Sequence, residues 1–181
     1  MTAMRGLRFH IRRFARAEEA TATIEFVITF PVVMMLFIAA FETSMIMTRQ
    51  VMLERTLDQA VRILRLANGL TVTPGEIRTA ICDNTSMLPD CRNLLTIDLR
   101  RIDRATYDVP GNQDLCIERA DASATPDNQF DPGQDNELMM VRACMIVDRI
   151  LPFSGYGLNL TRDDSGGLHM MAASVFVNEP D

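Results

Sequence analysis

Lysine and tryptophan are absent from this 181-residue chain, and tyrosine and histidine occur twice each. All 18 basic residues are therefore arginine, set against 24 acids for a net charge of −6. An acidic balance without a basic tract argues against nucleic-acid binding. A hydrophobic fraction of 48% with a mean hydropathy of +0.05 excludes low-hydrophobicity disorder, and nine glycines without a period exclude a collagen-like repeat. No C-x-x-C, P-loop or nucleophile elbow occurs, and no internal repeat. The chain is accordingly not expected to be an enzyme or to hold a cofactor or metal. Its length suits one domain, or one domain with an appended segment.

What is present is unevenly placed. Residues 1–20 hold five arginines (Arg5, Arg8, Arg12, Arg13, Arg16) against Glu18 and Glu19, a net +3 that leaves −9 for the other 161 residues. An apolar run then extends from Ile24 to Met47, with Glu25 and Glu42 as its charged positions. As a helix, the 25 residues 24–48 span roughly 37 Å, more than a hydrocarbon core of about 30 Å. A signal peptide has a shorter apolar core followed by a small-x-small cleavage site. Here Ala39-Ala40 leads into Phe41 and Glu42 instead. The run therefore reads as a single membrane span. The arginine head then lies on the cytoplasmic side, and everything after the span lies across the membrane.

Glu25 at the cytoplasmic end of the run suits a helix N-terminus. Its neighbours carry more. The segment Ala20-Thr21-Ala22-Thr23-Ile24-Glu25-Phe26 resembles the processing motif of type IV prepilins. More specifically, residues 16 to about 68 resemble the TadE family of minor pilins from tight-adherence (Tad, Flp-type) pilus systems. The matching positions are Ala22-Thr23, Glu25-Phe26, Pro31, Leu36 and Glu42, and the closing Ala172–Pro180 also looks familial. The resemblance implies cleavage by a prepilin peptidase between Ala20 and Thr21, with Ala20 standing where that peptidase generally favours glycine. It implies that Glu25 becomes the fifth mature residue, followed by the aromatic Phe26. The implied partners are other pilin-like subunits of the Tad system, the peptidase, the inner-membrane assembly platform and the lipid bilayer. Glu42 either pairs with a neighbouring subunit or marks the outer edge of the bilayer. Pro31, lacking an amide hydrogen, is expected to bend or loosen the helix.

Beyond Thr48, Leu53, Leu57, Ala60, Val61, Leu64 and Ala67 recur at helical steps, while Arg55, Asp58, Arg62 and Arg65 lie off that stripe. Asn68-Gly69 is a stop signal. A helix from about 22 to 68 would be on the order of 70 Å long. Thr73-Pro74-Gly75-Glu76 reads as a capping box opening a short helix through Ile81. Leu95, Ile97 and Leu99 alternate with Thr96, Asp98 and Arg100 as a half-buried strand. Residues 138–149 alternate again, with Met139, Val141, Ala143, Met145 and Val147 on one face, and a last strand covers His169 to Val177. Residues 120–137 read as a long polar loop. Residues 150–160 are apolar but broken by Pro152, Gly155 and Gly157, and read as a connection or short helix near the membrane. The expected fold is α+β and pilin-like, a long N-terminal helix packed on a small antiparallel sheet. Its parts are a leader (1–20), a transmembrane helix (21–48), an amphipathic extension (49–69) and an exported domain (70–181).

All four cysteines fall after the span, where an oxidising compartment would pair them. Of three possible pairings, Cys82–Cys91 closes a short loop through Pro89 and is expected first, which leaves Cys116–Cys144. Asp127, Asp131, Asp135 and Glu137 could hold calcium, but their spacing is not that of an EF-hand and suits a solvated loop. Asn84-Thr-Ser86 and Asn159-Leu-Thr161 match glycosylation acceptors by letter. Ser165 and His169 read as a turn leading into a strand rather than a hydrolytic pair. The function expected is a minor pilin or pseudopilin, single-pass in the inner membrane with a periplasmic domain. The alternative is an anchored periplasmic domain that binds a ligand or partner without assembling.

Overall fold

The computed structural model describes residues 18–66, 72–109, 111, 115–120, 128–149, 162 and 164–180, with side chains along the first helix from Ala22 onward. The arginine head, Ala67, Asn68-Gly69, Asp127, the segment 150–160 and the Asn159–Thr161 acceptor lie outside the described residues. Two compact units are distinguished, Met1–Thr43 and Ser44–Asp181. Helix α1 (Glu18–Leu66, 49 residues) belongs to both and is uninterrupted through Pro31.

In the second unit, α1 presents the side of its amphipathic stripe. Ile46, Leu53, Leu57, Ala60, Val61 and Leu64 are buried, whereas Arg55, Asp58, Arg62 and Arg65 are exposed. Burying one such leucine contributes about 1.5–3 kcal/mol relative to leaving it in water. Hydrogen bonds fix the packing: Gln50 Nε2 donates to the Met171 carbonyl at 2.7 Å, and Arg49 Nη1 to the Asp148 carbonyl at 3.2 Å.

Helix α2 (Pro74–Asp83) starts at the expected capping box. Thr73 Oγ1 accepts from the Glu76 amide at 3.3 Å, and Glu76 Oε2 accepts from the Thr73 amide at 2.8 Å. These bonds hold the Glu76 carboxyl below its ordinary value, first through the Thr73 amide. Thr73→Ala should destabilise the second unit by about 1 kcal/mol, read as a lowered urea midpoint of the detergent-solubilised chain. Helix α3 (Cys91–Leu94) is a single turn that leads into the sheet.

Strands β1 (Thr96–Arg101), β2 (Leu138–Val147) and β3 (Leu168–Val177) form one antiparallel sheet in the order β1-β2-β3. Ile97, Leu99, Met139, Val141, Ala143, Met145, Met170, Ala172 and Phe176 form a single core with the stripe of α1 and with Ile77 and Ile81 of α2. The α+β architecture is thus the expected one.

The half-buried reading of β1 is corrected. Thr96 and Asp98 are buried as fully as Ile97 and Leu99, and Arg142, Cys144 and Ile146 on the second face of β2 are buried too. A second layer covers that face. The chain after β1 returns across it through Gly111, the buried Leu115 and Cys116. The expected polar loop is also partly structural. Leu99 donates to the Gln129 carbonyl at 2.8 Å and accepts from the Asp131 amide at 2.9 Å, so residues 129–131 run beside β1.

Beneath that layer sits a buried ion pair. Asp98 and Arg142 face each other in the β1–β2 register. Asp98 Oδ2 accepts from Arg142 Nη2 at 2.7 Å and Nε at 3.0 Å, and Oδ1 accepts from the Gln129 amide at 2.8 Å and Arg100 Nε at 2.7 Å. Arg142 Nη1 donates to the Gly111 carbonyl at 2.6 Å. The two charges thereby hold both ends of the covering chain. Such saturation is what a buried pair requires, because either partner alone would be strongly unfavourable.

Candidate functional site

Among its described residues, the first unit presents an exposed apolar helical surface. From Ala22 to Phe41 every described side chain is exposed except Ile38 and Ala39, which are half-buried. Phe26 is 61% exposed, Leu36 68% and Phe37 69%. These 20 residues cover about 30 Å along the axis, the thickness of a hydrocarbon core. A soluble monomer rarely leaves so large a contiguous apolar surface open. The helix is long and apolar enough to cross a membrane, and its most apolar window is unburied, unlike a core helix.

Glu25, Phe26 and Pro31 all lie on this surface. The Phe26 and Phe30 rings stack with centroids 5.1 Å apart. Thr29 Oγ1 donates back to the Glu25 carbonyl at 2.8 Å, a local bond that keeps the hydroxyl satisfied in an apolar setting. Pro31 removes the amide that would reach the Val27 carbonyl, yet the helix continues. Backbone at Ala20 and Thr21 is helical, and their side chains lie outside the described residues. Glu42 departs from the group: it is 4% exposed, and is therefore not presented on the surface that holds Glu25. Helical phase does carry that signal, since Glu42 stands four residues before the buried Ile46 and eleven before the buried Leu53.

The cysteines join as Cys82–Cys91, across nine residues, and Cys116–Cys144, across 28, with Cα–Cα separations of 5.7 and 5.2 Å. The first ties the end of α2 to α3, and the second pins the covering chain to the centre of β2.

Among the described members of the acidic set, Glu137 Oε1 accepts from Arg101 Nη1 at 2.7 Å and Oε2 from the Gln134 amide at 2.8 Å, while Asp131 Oδ1 accepts from the Gly133 amide at 2.9 Å. These carboxylates cap a turn in which Gly133 has φ +72° and in which a Cβ would collide with Met139 Sδ. The Arg101 hydrogen bond, then the Gln134 amide, holds the Glu137 carboxyl below its ordinary value of 4.5. A depressed carboxyl stabilises the fold above its unfolded value and loses that contribution as pH falls through the folded one. Glu137→Gln should therefore flatten the loss of stability on acidification below about pH 4.5, measured by urea titration at several pH values. Asn84 Nδ2 donates to the Ala80 carbonyl at 2.7 Å, Ser165 is exposed in a turn, and His169 lies in β3 opposite Ile146.

A family model described as TadE-like protein matches residues 20–62. No curated protein and no solved structure matches the chain. The matched residues contain the whole exposed apolar surface and all of the buried stripe except Leu64.

Proposed function

We propose that this chain, TadE-like over residues 20–62, is a minor pilin or pseudopilin that takes part in assembly of a Tad (Flp-type) adhesive pilus. Its helix anchors it in the inner membrane with the arginine head cytoplasmic and the disulfide-bonded domain in the periplasm. The observation that carries this reading is the exposed apolar run Ala22–Phe41 with Glu25 at its start, coincident with the family match.

The mechanism follows from charge in a medium of low dielectric constant. Prepilin peptidase cuts between Ala20 and Thr21 and leaves a new ammonium on Thr21. The Glu25 carboxylate of a neighbouring subunit neutralises it within the helix bundle. A subunit docked out of register leaves both charges unpaired, which costs more than the pair itself contributes. Glu25 thus sets register, and the apolar surface supplies contact area to lipid and then to other pilin-like subunits on the assembly platform. No catalytic step is assigned to the chain.

N-terminal sequencing of the native protein, from membranes and from sheared surface filaments, tests the processing step. Thr21 as the first residue is expected, and Met1 retained in the mature form would reject it. Glu25→Ala should leave the protein in the membrane but block its recovery with pilin-like subunits. An anchored domain that does not assemble would behave identically with or without Glu25.

A further inference from the structure

The two outer edges of the sheet are not alike. Along β1, Leu99 turns its amide and carbonyl outward, and both are taken by residues 129–131. Along β3, two bonds fix which residues face outward. Asn178 donates to the Glu137 carbonyl at 3.2 Å, on the β2 side, whereas the Met171 carbonyl accepts from Gln50 of α1. Antiparallel pairing alternates these directions, so Ala173, Val175 and Val177 also turn their amides and carbonyls outward. Among the described residues, none of the three has a backbone partner on that side.

The same residues are open on the face. The second layer buries Arg142, Cys144 and Ile146 of β2, yet Ala173, opposite Arg142, is exposed, as are Val175 at 53% and Val177 at 38%. An edge strand is ordinarily protected by a charge, a proline or a bulge. Leu168–Val177 holds no Asp, Glu, Arg or Pro and pairs with β2 residue for residue. The open window is bounded by Gln50 at Met171 and by Glu179, which Arg65 approaches at 4.0 Å.

We propose that Ala173–Val177 accepts an extended, uncharged segment of a neighbouring pilin-like subunit as a fourth strand. The proposal rests on the assembly reading. Outward amides and carbonyls repeating about every 6.8 Å match an extended polypeptide. The exposed Ala173, Val175 and Val177 side chains select small apolar groups at alternate positions of that segment, since a charge laid on them loses water without gaining a partner. A second copy of this chain does not fit. Two β3 edges pair with two-fold symmetry only when antiparallel. Helix α1 and β3 run the same way, with Gln50 beside Met171 and Arg65 beside Glu179. Such a pair would send the two α1 helices in opposite directions, and one bilayer cannot anchor both.

The test places a thiol-linked photocrosslinker on Val177→Cys of the full-length chain in native membranes, beside Met34→Cys on α1. Val177→Cys should yield adducts with another pilin-like subunit. Adding Val175→Pro removes one outward amide and leaves the β2 ladder intact, so adducts should fall about tenfold. Adding Val175→Lys should lower them comparably, and Val175→Thr should retain them. Adducts from Met34→Cys but none from Val177→Cys, adducts joining two copies of this chain, or a yield unchanged by proline or by lysine overturn the docking alone. No adduct from either position overturns the assembly reading, and this proposal with it.

Discussion

Asp98→Ala should destabilise the second unit by about 3–5 kcal/mol, because it strands the Arg142 guanidinium in a site that is 2% exposed. Two further bonds are lost with the carboxylate, those to the Gln129 amide and Arg100 Nε. The covering chain therefore loosens where residues 129–131 meet β1. A drop in melting temperature of more than about 10 °C is expected, followed by circular dichroism in detergent. The double change Asp98→Leu/Arg142→Met separates a lost fold from a stranded charge. Removing both charges should restore most of the stability, since apolar replacement of a buried pair is often neutral. If Asp98→Ala melts like wild type, the pair does not hold the second layer.

The second large effect belongs to Cys116–Cys144. Its 28-residue loop predicts a loss of about 3.5 kcal/mol for Cys116→Ala/Cys144→Ala, by chain entropy in the unfolded state. The nine-residue loop of Cys82–Cys91 predicts a smaller loss, about 2.5 kcal/mol. Urea midpoints of the two double variants should fall in that order. Protease sensitivity should increase between Ile102 and Leu138 in the first variant only, because that bridge alone pins the covering chain. An unchanged midpoint without Cys116–Cys144 would assign the tethering to Asp98 and Arg142.

The legible parts of the fold were those with a local period or a local chemistry. Leu53, Leu57, Ala60, Val61 and Leu64 sit at helical spacing because one side of α1 meets the sheet. Thr73 and Glu76 cap each other across three residues, so their motif contains its own partners. The apolar run from Ala22 to Phe41 is legible from its length and composition. Asp98 was misplaced because alternation reports that neighbouring side chains point to opposite faces, not that both faces are covered. Its cover comes from Gly111, Leu115 and Cys116 and from residues 129–131, remote in sequence and without periodicity. Glu42 escaped for a different reason: it interrupts an apolar run by letter, although it stands in helical phase with the buried Ile46 and Leu53.

The central claim, that the exposed side of α1 is a subunit-contact surface, is tested most directly by crosslinking. Among the described residues all four cysteines are in disulfides, so single cysteines at Ala22–Phe41, such as Met34→Cys, introduce unique thiols. In native membranes these positions should yield adducts with other pilin-like subunits, and Glu25→Ala should abolish them. Recovery of monomer alone at every position along the run would contradict the account.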